Sequence, residues 1–274
     1  MTPTQLRKLA ADPRFIPGIY NYCDRWCERC PLSHRCLNYA MEKAEDDDDP
    51  AGRDLANQKF WNKLHSNFHL TMQMIQEDAQ RLGVDLNAPD AMCEAAAHER
   101  HVRRRAGRNQ PLSRAARDYG LAAQKWFEDS AALFRDKGVE LAKQAHLEIG
   151  RPLDEAEEIR EMLDILQWYH LFIHVKLTRA IASQAEEELE TDPAMRQFPR
   201  DSDGSTKIAL IGMDRSLLAW TELCLHFPEQ EDAILDFQLR LARIRGETER
   251  FFPNARAFFR PGFDEDMARL EAGG

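Results

Sequence analysis

Four of the chain's six cysteines lie within fourteen residues, at Cys23, Cys27, Cys30 and Cys36. Their spacing is C-x3-C-x2-C-x5-C, within the segment YCDRWCERCPLSHRC. Clustered cysteines in a reducing compartment indicate metal ligands or redox groups, because such compartments disfavour structural disulfides. The spacing therefore predicts a head in which four thiolates surround one ion or one cluster.

Two cofactors fit four thiolates. Zinc takes four thiolates tetrahedrally and would act as a structural staple, whereas a [4Fe–4S] cluster takes one thiolate per iron. Zinc knuckles often turn on glycine, and no glycine lies between Cys23 and Cys36. Three ligands within eight residues, followed shortly by a fourth, are also a common arrangement around a cluster. We therefore expect a [4Fe–4S] cluster, with Zn²⁺ as the alternative.

The last three cysteines resemble part of the iron–sulfur loop of the helix-hairpin-helix DNA glycosylases. That family has C-x6-C-x2-C-x5-C, and its adenine glycosylases often carry proline after the x2 gap. Cys27, Cys30, Pro31 and Cys36 match this part, while the first gap is shorter here. The loop is also similar to the iron–sulfur staple of the RecB-like nucleases. This resemblance implies cluster ligation only, since the chain lacks a glycine-rich hairpin loop and the strand-borne Asp and Glu-x-Lys of a nuclease.

Beyond residue 50 the apolar residues recur every three to five positions, which is the period of a helix. Prolines and glycines then mark the ends of the predicted helices. These helices are predicted over 54–82, 89–108, 111–149, 153–189, 205–227 and 230–251. We predict an all-α protein, a multi-helix bundle of about six helices with an irregular N-terminal cysteine-rich metal-binding head. The predicted domains are 1–50, the head and its acidic linker, and 51–274, the bundle with an aromatic C-terminal segment.

Composition limits where the protein works. The 274 residues are 43% hydrophobic and 31% charged, which is typical of a globular chain. No apolar run reaches the roughly 18 residues of a membrane span, and residues 1–15 lack the apolar core of a signal peptide. We expect a cytoplasmic protein with no membrane partner.

Histidines offer an alternative, catalytic site. His65/His69 and His170/His174 are each four residues apart, so each pair lies on one helix face. Two Glu/His pairs have the same spacing, Glu94/His98 and Glu222/His226. The Glu-x-x-His motif of di-iron bundles is absent. An enzyme with a second metal site at these histidines and nearby carboxylates is therefore the alternative to a non-enzymatic cluster protein.

Two further segments bear on partners. Residues 98–108 read HERHVRRRAGR and are strongly basic, but the formal net charge of the chain is −10. We expect this stretch to pair with the chain's own carboxylates, with nucleic-acid binding as the less favoured alternative. Residues 251–263 carry five phenylalanines and are expected to fold back over the bundle or the cluster. The predicted function is a structural, redox-sensing or electron-transfer role with a protein partner.

Overall fold

The computed structural model describes residues 2–45, 54–86, 109–190, 193 and 198–264. This part of the chain contains eight α-helices and no strand, which confirms the all-α prediction. None of its helices is both long enough and apolar enough to cross a membrane. The helices are α1 (Pro3–Ala10), α2 (Leu37–Glu45), α3 (Gln58–Leu82), α4 (Pro111–Asp129), α5 (Ala131–His146), α6 (Pro152–Glu187), α7 (Asp201–His226) and α8 (Glu231–Phe251).

The predicted helix over 111–149 is two helices, α4 and α5, which meet at Ser130. The backbone of Ser130 leaves the helical region (φ −88°, ψ 2°), while its N–H still donates to the carbonyl of Trp126 at 2.9 Å. α7 begins at Asp201, four residues earlier than predicted, and two aspartates in its first turn suit the helix dipole. The predicted helix over 89–108 lies outside the described residues.

The N-terminal head is less irregular than predicted. α1 begins with Pro3 and is capped by Thr2, whose hydroxyl accepts from the N–H of Gln5 while the Gln5 side chain accepts from the N–H of Thr2. This capping box satisfies two amide groups that a helix start leaves unpaired. α2 follows Cys36 directly, so the last cysteine is anchored by a helix.

The chain divides into two compact units. The first comprises residues 1–95 with 260–274, and therefore holds the four clustered cysteines, α1–α3 and the C-terminal turn. The second comprises residues 96–259 and holds α4–α8. The boundary predicted at residue 50 stays a prediction, since residues 46–53 are not among those described.

Glycines let the helices of the second unit approach closely. A Cβ atom added at Gly120 of α4 would lie 2.5 Å from the carbonyl oxygen of His170 in α6. One added at Gly212 of α7 would lie 2.9 Å from the ring of Tyr169, also in α6. Both contacts are shorter than van der Waals packing allows, so only glycine fits these two crossings.

The core of the second unit is an aromatic cluster around Trp220 of α7. Trp220 is fully buried and stacks on Phe237 of α8 with 4.8 Å between ring centroids. Its indole N–H donates to the hydroxyl of Tyr119 at 2.9 Å, and Trp126 meets it edge-on at 5.1 Å. Burial raises the pKa of Tyr119, so this phenol stays neutral. The cluster joins α4, α7 and α8 through one set of rings.

Candidate metal centre

Short 3-10 turns place the four cysteines of the head. The turns span Ile19–Tyr22, Cys27–Arg29 and Ser33–Arg35. Cys23 follows the first turn, Cys27 opens the second and Cys30 closes it, with its N–H donating to the carbonyl of Cys27 at 3.2 Å. Cys36 closes the third turn in the same way, donating to Ser33 at 3.1 Å. Each cysteine therefore stands at a backbone reversal, which brings the thiols together.

The loop between Cys23 and Cys27 is held by local contacts. Arg25 has a left-handed backbone (φ 61°), and the carboxylate of Asp24 accepts from the N–H of Trp26 at 3.2 Å. The guanidinium of Arg29 lies over the Trp26 ring, 4.2 Å from its centroid, which is a cation–π contact. These contacts fix the indole beside the thiols.

All four cysteines line one pocket. Its other walls are largely aromatic and come from Tyr20, Trp26, Tyr39 and Phe263. Phe263 belongs to the segment 251–263 that was expected to fold back over the bundle or the cluster, whereas Tyr20 and Tyr39 were not foreseen. Tyr20 and Tyr39 each lie three residues from a cysteine, which is a signal that the sequence did carry. The thiols thus share a pocket whose surroundings are mainly apolar.

A C-terminal turn forms one wall of this pocket. Gly262 has φ +80°, and a Cβ added there would lie 2.7 Å from Cδ1 of Ile16. The turn is closed by an ion pair between Arg260 and Asp264 at 2.7 Å, with both side chains largely buried. Phe263, between them, lines the cysteine pocket. The turn is therefore a tightly packed cover for the thiols.

The aromatic C-terminal segment folds back as expected. Phe252 and Phe258 are buried within the second unit, with 3% and 9% of their surfaces exposed. Phe263 belongs to the first unit and reaches the cysteine pocket. The first part of this segment is therefore buried in the second unit, and its last residue lines the cysteine pocket in the first unit.

Alanine at Gly262 is expected to loosen this cover. The left-handed backbone costs a non-glycine residue about 1 kcal/mol, and the clash with Ile16 adds to it. We expect iodoacetamide to alkylate the four cysteines roughly tenfold faster in the Gly262→Ala protein, which corresponds to about 1.4 kcal/mol. The measurement is peptide mass spectrometry over a time course.

The matched control is Gly83→Ala. Gly83 also has a left-handed backbone (φ +70°), but no atom lies within 4 Å of an added Cβ. This variant therefore carries the backbone cost without the clash at the cover. Equal alkylation rates in the two variants would show that the turn at Gly262 does not protect the thiols.

The surroundings of Cys27 do not activate its thiol as a nucleophile. Burial raises the pKa of Cys27 to about 11, and the charges of Glu42 and the neighbouring thiols act in the same direction. Cys23 donates its S–H to the carbonyl of Tyr20 at 3.6 Å. Reactive cysteines need a lowered pKa. The Cys27 thiol is therefore better suited to ligation, in which a metal replaces the proton, than to attack on a substrate.

The four thiols line one pocket without forming a compact donor group. Across the described ranges, no group of three or more His, Cys, Asp or Glu side chains is close enough to hold a single metal ion. Zinc with Zn–S bonds of about 2.3 Å would bring its four sulfurs within about 4 Å of one another. A [4Fe–4S] cluster binds each thiolate at a different iron and so keeps the sulfurs further apart. Four thiols around one pocket are the donor set of a [4Fe–4S] cluster and of a structural zinc site alike.

The histidine pairs belong to different units. His65 and His69 lie exposed on α3 in the first unit, with their rings 5.5 Å apart. His170 and His174 lie partly buried on α6 in the second. Nδ1 of His170 is 2.7 Å from the carbonyl oxygen of Gln167. Burial lowers the pKa of His170, against the effect of that hydrogen bond.

His174 and His226 are also engaged with neighbouring helices. Nδ1 of His174 lies 3.0 Å from the carbonyl oxygen of Ser113 in α4. His226 pairs with Glu155 at 3.5 Å and with Glu158 at 3.7 Å, both on α6. These contacts tie helices together, and the described residues do not assemble the second metal site that the histidine spacing suggested.

Several sequence features cannot be placed. Cys93, the Glu94/His98 pair and the basic stretch 98–108 lie outside the described residues. Cys224, the remaining cysteine, is partly buried on α7 and away from the head's unit.

No protein-family model matches the chain, and neither the curated proteins nor the solved structures include a significant match. The grounds for a metal centre are the spacing of the four cysteines and the pocket that they share.

Proposed function

We propose that Cys23, Cys27, Cys30 and Cys36 hold a [4Fe–4S] cluster that gives the protein a redox-sensing or electron-transfer role and ties its head together. The observation that carries this proposal is the shared pocket, which all four thiols line. The preference for a cluster over zinc rests on the cysteine spacing and on the lack of glycine between Cys23 and Cys36. Zinc held by the same four residues as a structural staple is the second candidate.

Four thiolates would occupy all four irons of the cluster, which leaves no iron open to a substrate. Such a cluster supplies one-electron chemistry or structural cross-linking, so a substrate reaction at the iron is not part of the proposal. The rings of Trp26, Tyr39 and Phe263 limit water around the thiols. Solvent exposure and hydrogen bonds to sulfur are the properties by which a protein sets the potential of a cluster.

The helical body is proposed to receive or pass on the redox signal through a protein partner. The second unit contributes five α-helices, α4–α8, to the proposed bundle of about six. Cytoplasmic localisation belongs to the same proposal, because a reducing compartment keeps four clustered thiols available for metal. An enzyme built on the histidines has less support, since the pairs His65/His69 and His170/His174 belong to different units.

The redox role is tested by anaerobic reduction of the purified protein with dithionite, followed by re-oxidation. We expect the absorption band at about 400 nm to bleach on reduction and to return on re-oxidation, with an electron paramagnetic resonance signal in the reduced state. The matched control is the Cys36→Ser protein, which should lack both changes. A band that does not respond to dithionite would leave the cluster a purely structural role and overturn the redox part of the proposal.

A further inference from the structure

Lys207 of α7 holds the backbone just before the C-terminal turn that covers the thiols. Its ammonium group donates a hydrogen bond to the carbonyl oxygen of Phe258. Lys207 is partly buried and Phe258 has 9% of its surface exposed, so this hydrogen bond lies largely out of water. A hydrogen bond from a charged donor is stronger than one between neutral groups, and more so where water is excluded. The chain is therefore fixed to α7 at residue 258.

The residues before Phe258 strengthen this attachment. The 3-10 turn Ala255–Ala257 packs against α7, and Ala255 is fully buried. The N–H of Phe258 closes the turn by donating to the carbonyl of Ala255 at 3.2 Å. At Phe258 the backbone then leaves the helical region (φ −59°, ψ 130°). Residue 258 is thus an anchor point for the segment that follows it.

Only one residue separates this anchor from the turn that covers the thiols. Phe259, which is 51% exposed, lies between Phe258 and Arg260. The turn begins at Arg260, whose carbonyl accepts from the N–H of Phe263 at 3.2 Å. The five Cα–Cα steps from Phe258 to Phe263 span at most about 18 Å. The anchor therefore limits the positions that the Phe263 ring can reach.

An anchored segment docks more readily than a free one, because its chain has fewer conformations to lose. Release of Phe258 from Lys207 would return that freedom to the turn, and Phe263 would leave the pocket wall more often. We propose that Lys207 is a positioning residue for the cysteine pocket and acts on it through Phe258 and the C-terminal turn. This inference rests on the proposed function in taking the four clustered cysteines as the functional site, but not on which metal they hold.

Alkylation of the full chain, purified without oxygen, tests this role. The Lys207→Met protein keeps the length of the side chain but loses its charge. We expect iodoacetamide to alkylate the four clustered cysteines roughly fivefold faster in this protein than in the wild type. Lys207→Arg keeps a cationic donor and should stay close to the wild-type rate. Cys224, which lies on α7 with Lys207, is the internal reference and should react at the same rate in all three proteins.

The route through the turn is tested by combining Lys207→Met with Phe263→Ala. Phe263→Ala alone removes the ring from the pocket wall and should speed alkylation of the four clustered cysteines. If Lys207 acts by holding that ring in place, its substitution adds little once the ring is gone. The double variant should therefore react within about twofold of Phe263→Ala, since changes along one route are not additive.

The matched control is Lys137→Met. The Lys137 side chain is 19% exposed and pairs with Glu155 of α6 at 2.8 Å, so a lysine that joins two helices is lost far in sequence from the C-terminal turn. Its four clustered cysteines should react at the wild-type rate. Wild-type rates in Lys207→Met, a rise that includes Cys224, or a double variant whose effects multiply would each overturn the proposal. Zinc in place of a cluster would contradict the proposed function but leave this comparison valid, because all variants would carry the same metal.

Discussion

Replacing Cys27 by serine is expected to strip the metal from the protein. Burial raises the pKa of Cys27 to about 11, and its thiol shares the pocket with the other three. A serine hydroxyl keeps the size of the thiol but is a poor ligand for iron or zinc, which take thiolates. We expect iron to fall from about four atoms per chain to below about one, measured by plasma mass spectrometry on anaerobically purified protein.

Cys224→Ser is the matched control for this loss. It makes the same atomic change at a partly buried cysteine on α7, in the unit that does not contain the head. Its metal content should equal that of the wild type. Cys23→Ser, Cys30→Ser and Cys36→Ser should each behave like Cys27→Ser. If any one of these four variants kept the full metal content, the cysteine replaced in it would not be a ligand, and the proposed ligand set would be wrong.

Trp220→Ala is expected to cause the largest loss of stability of any single truncation in the helical body. The indole is fully buried, stacks on Phe237 and donates to Tyr119, so its removal leaves a large cavity and breaks that hydrogen bond. Truncation of a buried tryptophan or phenylalanine costs about 3–5 kcal/mol. Urea unfolding followed by circular dichroism should show this as a lower midpoint with little change in slope.

Leu218→Ala gives the comparison for this prediction, because Leu218 lies on the same helix and is 68% exposed. Its free energy of unfolding should change by less than about 0.5 kcal/mol. Metal content should be unchanged in the Leu218 protein. A Trp220→Ala protein as stable as Leu218→Ala would mean that the aromatic cluster does not form the core of the second unit.

The helical class and most helix ends were predictable because they depend on local patterns. The predicted helix 153–189 matches α6 (Pro152–Glu187), and 230–251 matches α8 (Glu231–Phe251). The break at Ser130 was not predictable, since neither proline nor glycine marks it and the apolar period continues across it. α1 was missed because its eight residues are too few to show a period.

The features of the candidate site were likewise predictable only where they depend on local sequence. Four cysteines within one short loop must lie near each other, so their shared pocket followed from spacing alone. The apolar character of residues 251–263 predicted that they would fold back over the bundle or the cluster, but not that Phe263 would line the pocket, because local patterns do not report contacts across more than two hundred residues. The histidine pairs show the converse limit. Their spacing predicts that each pair shares a helix face. It does not predict the contact between Nδ1 of His174 and the carbonyl oxygen of Ser113.

The most direct test of the account is acid-labile sulfide, measured with iron and zinc on protein purified without oxygen. Inorganic sulfide is a component of an iron–sulfur cluster and of no zinc site. We predict about four sulfides and about four irons per chain, with zinc well below one. One zinc per chain with no sulfide would contradict the proposed cluster and make the head a zinc staple.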